Sequence, residues 1–269
     1  MKIRFAPRCI RLLVAVWLSA SVFPACASGA TATPLGALPG ERLRYNIHWM
    51  GVPGGEAFME VRPAKAGHYA LVAGVESTGV VRLLHPIQDQ LQAEGSVTAS
   101  GVMSARYYAK HQQRGDQKRV IEYRFDREWG EVLRTQEGEE SQSIGGVTPG
   151  VHDMLTGFYA LRGCAGLKPG ARIYVPMVDG KKVYQVATEV GEEERLLTPL
   201  GWFDVWPMTV MVGNSDLFRL QGSIVVWLTR DARRLPVRVE SRIDFKSVAA
   251  DLVAYDDARG ERREWKESK

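Results

Sequence analysis

Short stretches of alternating apolar and polar residues recur along most of the chain, separated by glycine-containing turn signals. In residues 118–125, Ile121 and Tyr123 alternate with Glu122 and Arg124, which is typical of a strand with one packed and one solvated face. Related patterns predict strands at residues 43–49, 55–61, 69–76, 88–98, 102–111, 172–178, 182–190, 193–197, 202–211, 223–229, 236–245 and 248–255. Because turn signals separate neighbouring strands, we expect sequential antiparallel pairing.

One segment has helical spacing instead. Residues 153–162 carry an apolar stripe that includes Leu155 and Phe158, His152 or Asp153 can cap its start, and a glycine follows it. The pattern as a whole therefore predicts a mainly β fold. We expect a single large antiparallel, strongly curved sheet or half-barrel, arranged as a meander, with one helix packed against it.

The amino terminus has the organisation of a secretory signal peptide. Four basic residues precede the apolar run 12–18, which is too short to span a bilayer, and the triplet Ala25-Cys26-Ala27 follows. We expect cleavage after Ala27 and a periplasmic location for a chain without a transmembrane segment. The alternative is a lipoprotein modified at Cys26, which is less favoured because a phenylalanine stands three residues before the cysteine.

Composition defines four expected regions and limits the partners. Residues 1–27 are the signal peptide, 28–40 a flexible lead-in rich in glycine and proline, 41–256 a single β-rich domain, and 257–269 a charged carboxyl-terminal tail. The whole chain has 35 Lys+Arg and 31 Asp+Glu, and the only charged residues of the signal peptide are its four bases. Once they are removed the charges balance, so net charge indicates neither nucleic acid nor anionic lipid as a partner.

The chain shows no arrangement of residues that predicts catalysis. Its five histidines are scattered singly, none accompanies a Gly-x-Ser-x-Gly sequence, and only one cysteine remains after export. We therefore predict no catalytic residues, no metal site, no cofactor and, in the exported chain, no intramolecular disulfide. The pair His152-Asp153 is explained by helix capping.

Large aromatic and methionine side chains are the candidate ligand contacts. Such side chains can line an apolar cavity inside a curved sheet, although they can equally fill its core. The candidates are Trp49, Phe58, Tyr107, Trp202, Phe203, Trp206, Met208 and Trp227.

A charged turn between two predicted strands offers a second feature. Asp231, Arg233 and Arg234 lie in the turn, and Pro236 begins the returning strand. We interpret these four residues as hairpin architecture, with an arginine pair that grips a ligand as the alternative.

The order of several short motifs resembles that of the domain of unknown function 3108 family. The motifs lie at residues 40–45, 54–57, 153–162, 179–181, 201–203 and 226–237. The last motif, Trp-x-x-x-Asp-x-x-Arg-x-Pro-Val, is the most specific. The resemblance implies an exported bacterial protein without an established activity, and by looser fold analogy the curved sheet of a periplasmic lipoprotein carrier.

Three functions remain open at this point. The first is a non-catalytic binding or carrier module for an apolar or lipid-like envelope ligand, which would require a sizeable apolar cavity. The second is a structural or assembly factor of the cell envelope that acts through contacts with other proteins. The third is a hydrolase, which would require titratable side chains that converge in one cleft.

Overall fold

The computed structural model describes residues 39–99, 101–148, 150–212, 222–243, 246–257 and 260–265. The first half contains β1 (Arg42–Trp49), β2 (Val52–Arg62), β3 (His68–Ser77), α1 (Gly79–Leu84), β4 (Ile87–Val97), β5 (Met103–Arg114), β6 (Gln117–Asp126), β7 (Glu131–Gln136) and β8 (Gln142–Ile144). The second half contains α2 (Met154–Gly163), β9 (Arg172–Asp179), β10 (Lys182–Val190), β11 (Glu194–Thr198), β12 (Gly201–Val212), β13 (Gly222–Thr229), β14 (Pro236–Ile243), β15 (Lys246–Asp256) and β16 (Arg262–Glu264).

These strands form one antiparallel sheet in the order β8-β7-β6-β5-β4-β3-β2-β1-β15-β14-β13-β12-β10-β9, with β11 paired to β12 and β16 to β15. Each of the first eight strands pairs with its neighbour in sequence, as a meander requires. The pairing of β1 with β15 joins the two halves. The predicted mainly β fold with an antiparallel meander is confirmed.

The sheet does not close, but its two ends approach each other through α2. His152, just before α2, forms a parallel bridge with Met177 of β9, and α2 also packs against β3, β4 and β5. Beyond the bridge, the Lys110 ammonium of β5 donates to the Asp179 carboxylate at the end of β9. The sheet therefore curls around α2, as predicted for a curved sheet packed on one helix.

Three apolar clusters fill the face of the sheet that surrounds α2. The first joins β2–β8 to the start of α2, the second joins the end of α2 to β9, β10 and β12–β14, and the third joins β1 to β12, β14 and β15. Asp153 caps α2, since its Oδ1 accepts from the backbone nitrogens of Leu155 and Thr156 at 2.9 and 2.8 Å. Packed apolar side chains of the three clusters thus occupy this side of the sheet.

Several elements were not predicted. β7 and β8 extend the meander, α1 is a second, six-residue helix, and β16 lies within the predicted charged tail. α1 depends on a tertiary contact, because its Val81 side chain lies against Gly54 of β2. The predicted signal peptide and all but the last two residues of the lead-in lie outside the described residues. No helix of the described ranges is long and apolar enough to cross a membrane.

Cys164 lies in the core of the structure. Its side chain is buried in the second cluster, and it is disulfide-bonded. No disulfide was expected because removal of residues 1–27 would leave one cysteine. That expectation concerns the exported chain without residues 1–27 and stays a prediction.

Candidate functional site

A cavity of about 700 Å³ runs across six strands and is called the trough below. Each strand from β1 to β6 contributes three consecutive residues to the lining, and these residues are cross-strand partners of one another. One residue of β15 completes the lining. The lining residues are 44–46, 56–58, 74–76, 88–90, 111–113, 118–120 and Val253. The volume falls within the range of small-molecule sites in proteins.

The trough lies on the face of the sheet opposite α2. Tyr45 is buried in the third cluster, so Arg44 and Asn46, one position away along β1, point to the other face. Leu43 and Met59, which share the core face with Tyr45, do not belong to the lining. The outer faces of β1–β6 therefore form the walls of the trough.

Phe58 is the large apolar side chain of the trough and rests on a glycine. Gly74 pairs with Phe58 in the register of β2 and β3, and a Cβ on Gly74 would lie 2.3 Å from Phe58 Cε1. Only glycine therefore admits the ring in this position. Val120 and Val253 add aliphatic surface to the same cavity.

Polar side chains form a second row beside Phe58. Cross-strand pairs link Asn46 to Glu56, Glu56 to Glu76, and Glu76 to Gln88. Like charges directly opposite each other destabilise a sheet, and within the described ranges neither glutamate forms an ion pair. The row thus presents two carboxylates and adjacent amides to the cavity, and it continues through Gln113 to Lys118.

Two titratable residues at the start of α2, His152 and Asp153, lie in the core and not in the trough. Burial raises the pKa of Asp153 to about 6, although hydrogen bonds from Thr156 and Leu155 oppose the shift. Burial lowers the pKa of His152 to about 4, and the Arg127 guanidinium adds to this effect. Both shifts therefore follow from burial, which the capping hydrogen bonds to Asp153 only partly offset.

Of the eight predicted ligand contacts, Phe58 alone lines the trough. Trp49 stacks edge-on with His85 at 6.1 Å, and the Tyr107 hydroxyl donates to Glu122 at 2.9 Å. Trp202 is exposed beside Arg195. The remaining four pack in the clusters of the second half and are Phe203, Trp206, Met208 and Trp227. The eight side chains therefore do not converge on one site.

The predicted turn residues hold the β13–β14 connection together. Asp231 accepts from the Arg233 backbone nitrogen at 3.0 Å and from the Arg233 Nε at 3.0 Å. Arg234 donates to the Arg162 carbonyl at 2.8 Å, and the Pro236 carbonyl accepts from the Tyr45 hydroxyl at 2.9 Å. Protein partners thus engage both arginines.

A family model described as a protein of unknown function, DUF3108, matches residues 44–253. This span includes the whole trough and the Asp231 turn. The chain belongs to the DUF3108 family. A comparison with curated proteins finds no match.

The DUF3108 chain is also similar to solved structures at low sequence identity. A β-barrel-like protein of the domain of unknown function DUF1849 from Brucella abortus is 12% identical with a TM-score of 0.53, and the match covers 82% of this chain and 98% of that one. A protein with a YmcC-like fold from Bacteroides fragilis is 13% identical with a TM-score of 0.34, over 80% of this chain and 95% of that one. The first likeness supports the fold alone.

The sequence pattern of this DUF3108 protein did not lead us to predict the polar residues of the trough as candidate site residues. Gln88 and Gln90 alternate with residues of the opposite face, which indicates a polar row. Nothing in that alternation distinguishes a flat solvated face from a concave one. Among the described residues, no group of three His, Cys, Asp or Glu side chains is arranged to hold a metal ion.

Proposed function

We propose that this DUF3108 protein is a non-catalytic binding module of the cell envelope, which binds an amphiphilic, lipid-like ligand in the trough. The trough itself is the observation that carries the proposal, because it combines a cavity of ligand size with both apolar and polar walls. The envelope location rests on the predicted signal peptide at residues 1–27.

The lining favours an amphiphile over a purely apolar ligand. Phe58 and Val120 offer contact to an acyl chain or ring. Glu56, Glu76 and Gln88 would lose hydration beside such a group unless the ligand also offered hydrogen-bond partners. We therefore expect a ligand with an apolar part against Phe58 and a polar or cationic group near the two glutamates.

The same lining supports binding rather than hydrolysis. Within the described part of the chain, the trough residues include no serine, threonine or cysteine that a histidine could activate. His111 lines the cavity opposite Gln90 and Val120, neither of which is a nucleophile. A carrier or sensor requires only reversible contacts, and the trough provides those.

Native mass spectrometry of the protein purified from a bacterial periplasm tests the proposal. We expect an adduct of amphiphile mass on the wild-type chain. Phe58→Ala removes the main apolar contact, and Gly74→Val displaces the ring, so each should weaken retention about tenfold or more. Leu133→Ala, an exposed apolar residue of β7 outside the trough, is the matched control. A bare wild-type chain, or equal loss in the control, would contradict the proposal.

A further inference from the structure

Five large apolar side chains are exposed together at one end of the sheet. Met50 and Val52 lie at the β1–β2 turn, and Val80, Leu83 and Leu84 lie on α1, with exposed fractions between 54 and 84%. These five residues are called the apical patch. α1 is fixed to the turn region, because the Thr78 nitrogen donates to the Gly54 carbonyl at 3.0 Å.

The backbone geometry of the β1–β2 turn and of α1 directs these side chains outward. Val81 faces Gly54, which leaves Val80, Leu83 and Leu84 as a stripe at positions i, i+3 and i+4 on the open side of α1. Met50 and Gly51 form a two-residue turn with φ of 50° and 82°. A methionine is strained there, where glycine or asparagine is preferred.

The two segments that carry the apical patch, residues 47–55 and 77–88, contain one arginine and no acidic residue, and Glu56, Glu76 and Asp89 lie directly beyond their ends. Their titratable side chains are Arg82, His48 and His85, and Arg82 is exposed at the end of α1. An apolar tip flanked by a basic residue, with Trp49 at its base, has the composition of interfacial membrane contacts.

The patch also adjoins the trough. A small recess of about 60 Å³ is lined by Arg82 of α1 together with Glu76, Gln88 and Gln113. Those last three residues also line the trough. The apical patch therefore stands at the α1 end of the trough, where a ligand could pass between the trough and whatever the patch contacts.

We propose that the apical patch is a membrane-docking surface that inserts shallowly into a bilayer containing anionic lipids. A protein partner would commonly bury about 800 Å² on each side, whereas the patch consists of two narrow tips. A bilayer accepts such tips without a matching groove, and its anionic headgroups complement Arg82. The inference does not depend on the identity of the trough ligand.

Cosedimentation with vesicles tests the proposal. The probe is a vesicle of equal parts phosphatidylglycerol and phosphatidylcholine, and the protein is the full exported chain. We expect the wild type to bind and the Leu83→Glu/Leu84→Glu variant to bind about tenfold or more weakly. Arg82→Gln should weaken binding to these vesicles more than to vesicles of phosphatidylcholine alone.

Trp129→Glu is the matched control. Trp129 is 77% exposed, but it lies in the β6–β7 turn, at the opposite end of β6 from the β5–β6 turn that borders α1. We expect this variant to bind vesicles like the wild type. Circular dichroism checks that every variant is folded, and Phe58→Ala should leave vesicle binding unchanged, which separates this proposal from the one for the trough.

Three results would overturn membrane docking. The wild type could fail to cosediment, or the Trp129→Glu control could lose as much binding as the patch variant. The third result is a wild-type dimer that the patch variant converts to a monomer while vesicle binding is unchanged. That outcome would make the apical patch an interface between two copies of the chain.

Discussion

Arg162 has no exposed surface, and its charge is neutralised inside the core by Glu41, which is 2% exposed. The guanidinium donates to both carboxylate oxygens of Glu41, at 2.9 and 3.0 Å, and to the Arg234 carbonyl at 3.0 Å. One side chain thus ties the residue before β1, the end of α2 and the β13–β14 turn to each other. These hydrogen bonds fix the β13–β14 turn to the core.

Replacing one member of this pair should be costly. Glu41→Gln leaves a buried guanidinium without its counter-charge, and we expect a loss of about 3–5 kcal/mol in the free energy of unfolding. Glu60→Gln removes the partner of the exposed Arg42 and should cost less than about 1 kcal/mol. Urea denaturation of both variants measures the difference. Similar losses in the two would show that Arg162 finds another partner.

The start of α2 contains two buried titratable residues whose pKa values are shifted in opposite directions. His152 has its pKa lowered to about 4, so its contribution to stability is present above about 6.5 and is lost as the pH falls through 4. Asp153 has its pKa raised to about 6, so its contribution is present below its unfolded value of about 3.8 and is lost as the pH rises through 6. The two effects oppose each other in the same pH window.

Single variants should separate these effects. His152→Gln removes the histidine term, so the free energy of unfolding should rise more, or fall less, than in the wild type as the pH is lowered from 6.5 to 4. Asp153→Asn should show the reverse, in addition to a pH-independent loss from the altered cap. Urea denaturation across this range tests both, and parallel pH profiles in all three proteins would refute the assignment.

The two helices show what local sequence can and cannot specify. α2 has a capping aspartate, an apolar stripe and a closing glycine, so it was predicted almost to the residue. α1 has no side-chain cap and no acidic residue in its first turn. Its six residues owe their helical form to the contact between Val81 and Gly54, which no local pattern reveals.

Strand prediction has the same limit. β6 alternates from Ile121 onward, whereas β7 is six residues long, exposes Leu133 and buries Arg134, so tertiary pairing decides it. Alternation in β4 indicates that Gln88 and Gln90 share a face, but the depth of the trough depends on the twist of six strands together. The sequence therefore predicts the sheet and its solvated face. It does not predict that this face is concave, because the concavity depends on how all six strands twist together.

The whole molecule is an open sheet of sixteen described strands, and no strand pairing joins its two edges, β8 and β9. Other contacts must therefore hold these edges close together. The bridge between His152 and Met177 provides one connection, and the ion pair between Lys110 and Asp179 provides another, with side-chain exposures of 9 and 10%. The Tyr123 hydroxyl also donates to the Gly180 carbonyl at 3.4 Å. These contacts join β5 and β6 to the far edge of the sheet.

Loss of the ion pair should therefore loosen the far edge selectively. Asp179→Asn leaves the Lys110 ammonium nearly buried and without its counter-charge, and we expect a cost of about 3–5 kcal/mol. Hydrogen exchange should accelerate in β9 and β10 more than in β1–β3, because the edge strands lose their tie to β5. Lys110→Met/Asp179→Leu should recover most of the stability, since an apolar pair leaves no buried charge.

Arg172→Met is the control, because its pair with Glu189 spans the same β9–β10 hairpin but is exposed, and it should cost less than about 1 kcal/mol. Uniform acceleration of exchange across the sheet in Asp179→Asn would mean that the pair stabilises the fold globally. An unchanged profile would mean that α2 alone holds the ends together. Selective acceleration at β9 and β10 would make the ion pair the closure of an otherwise open sheet.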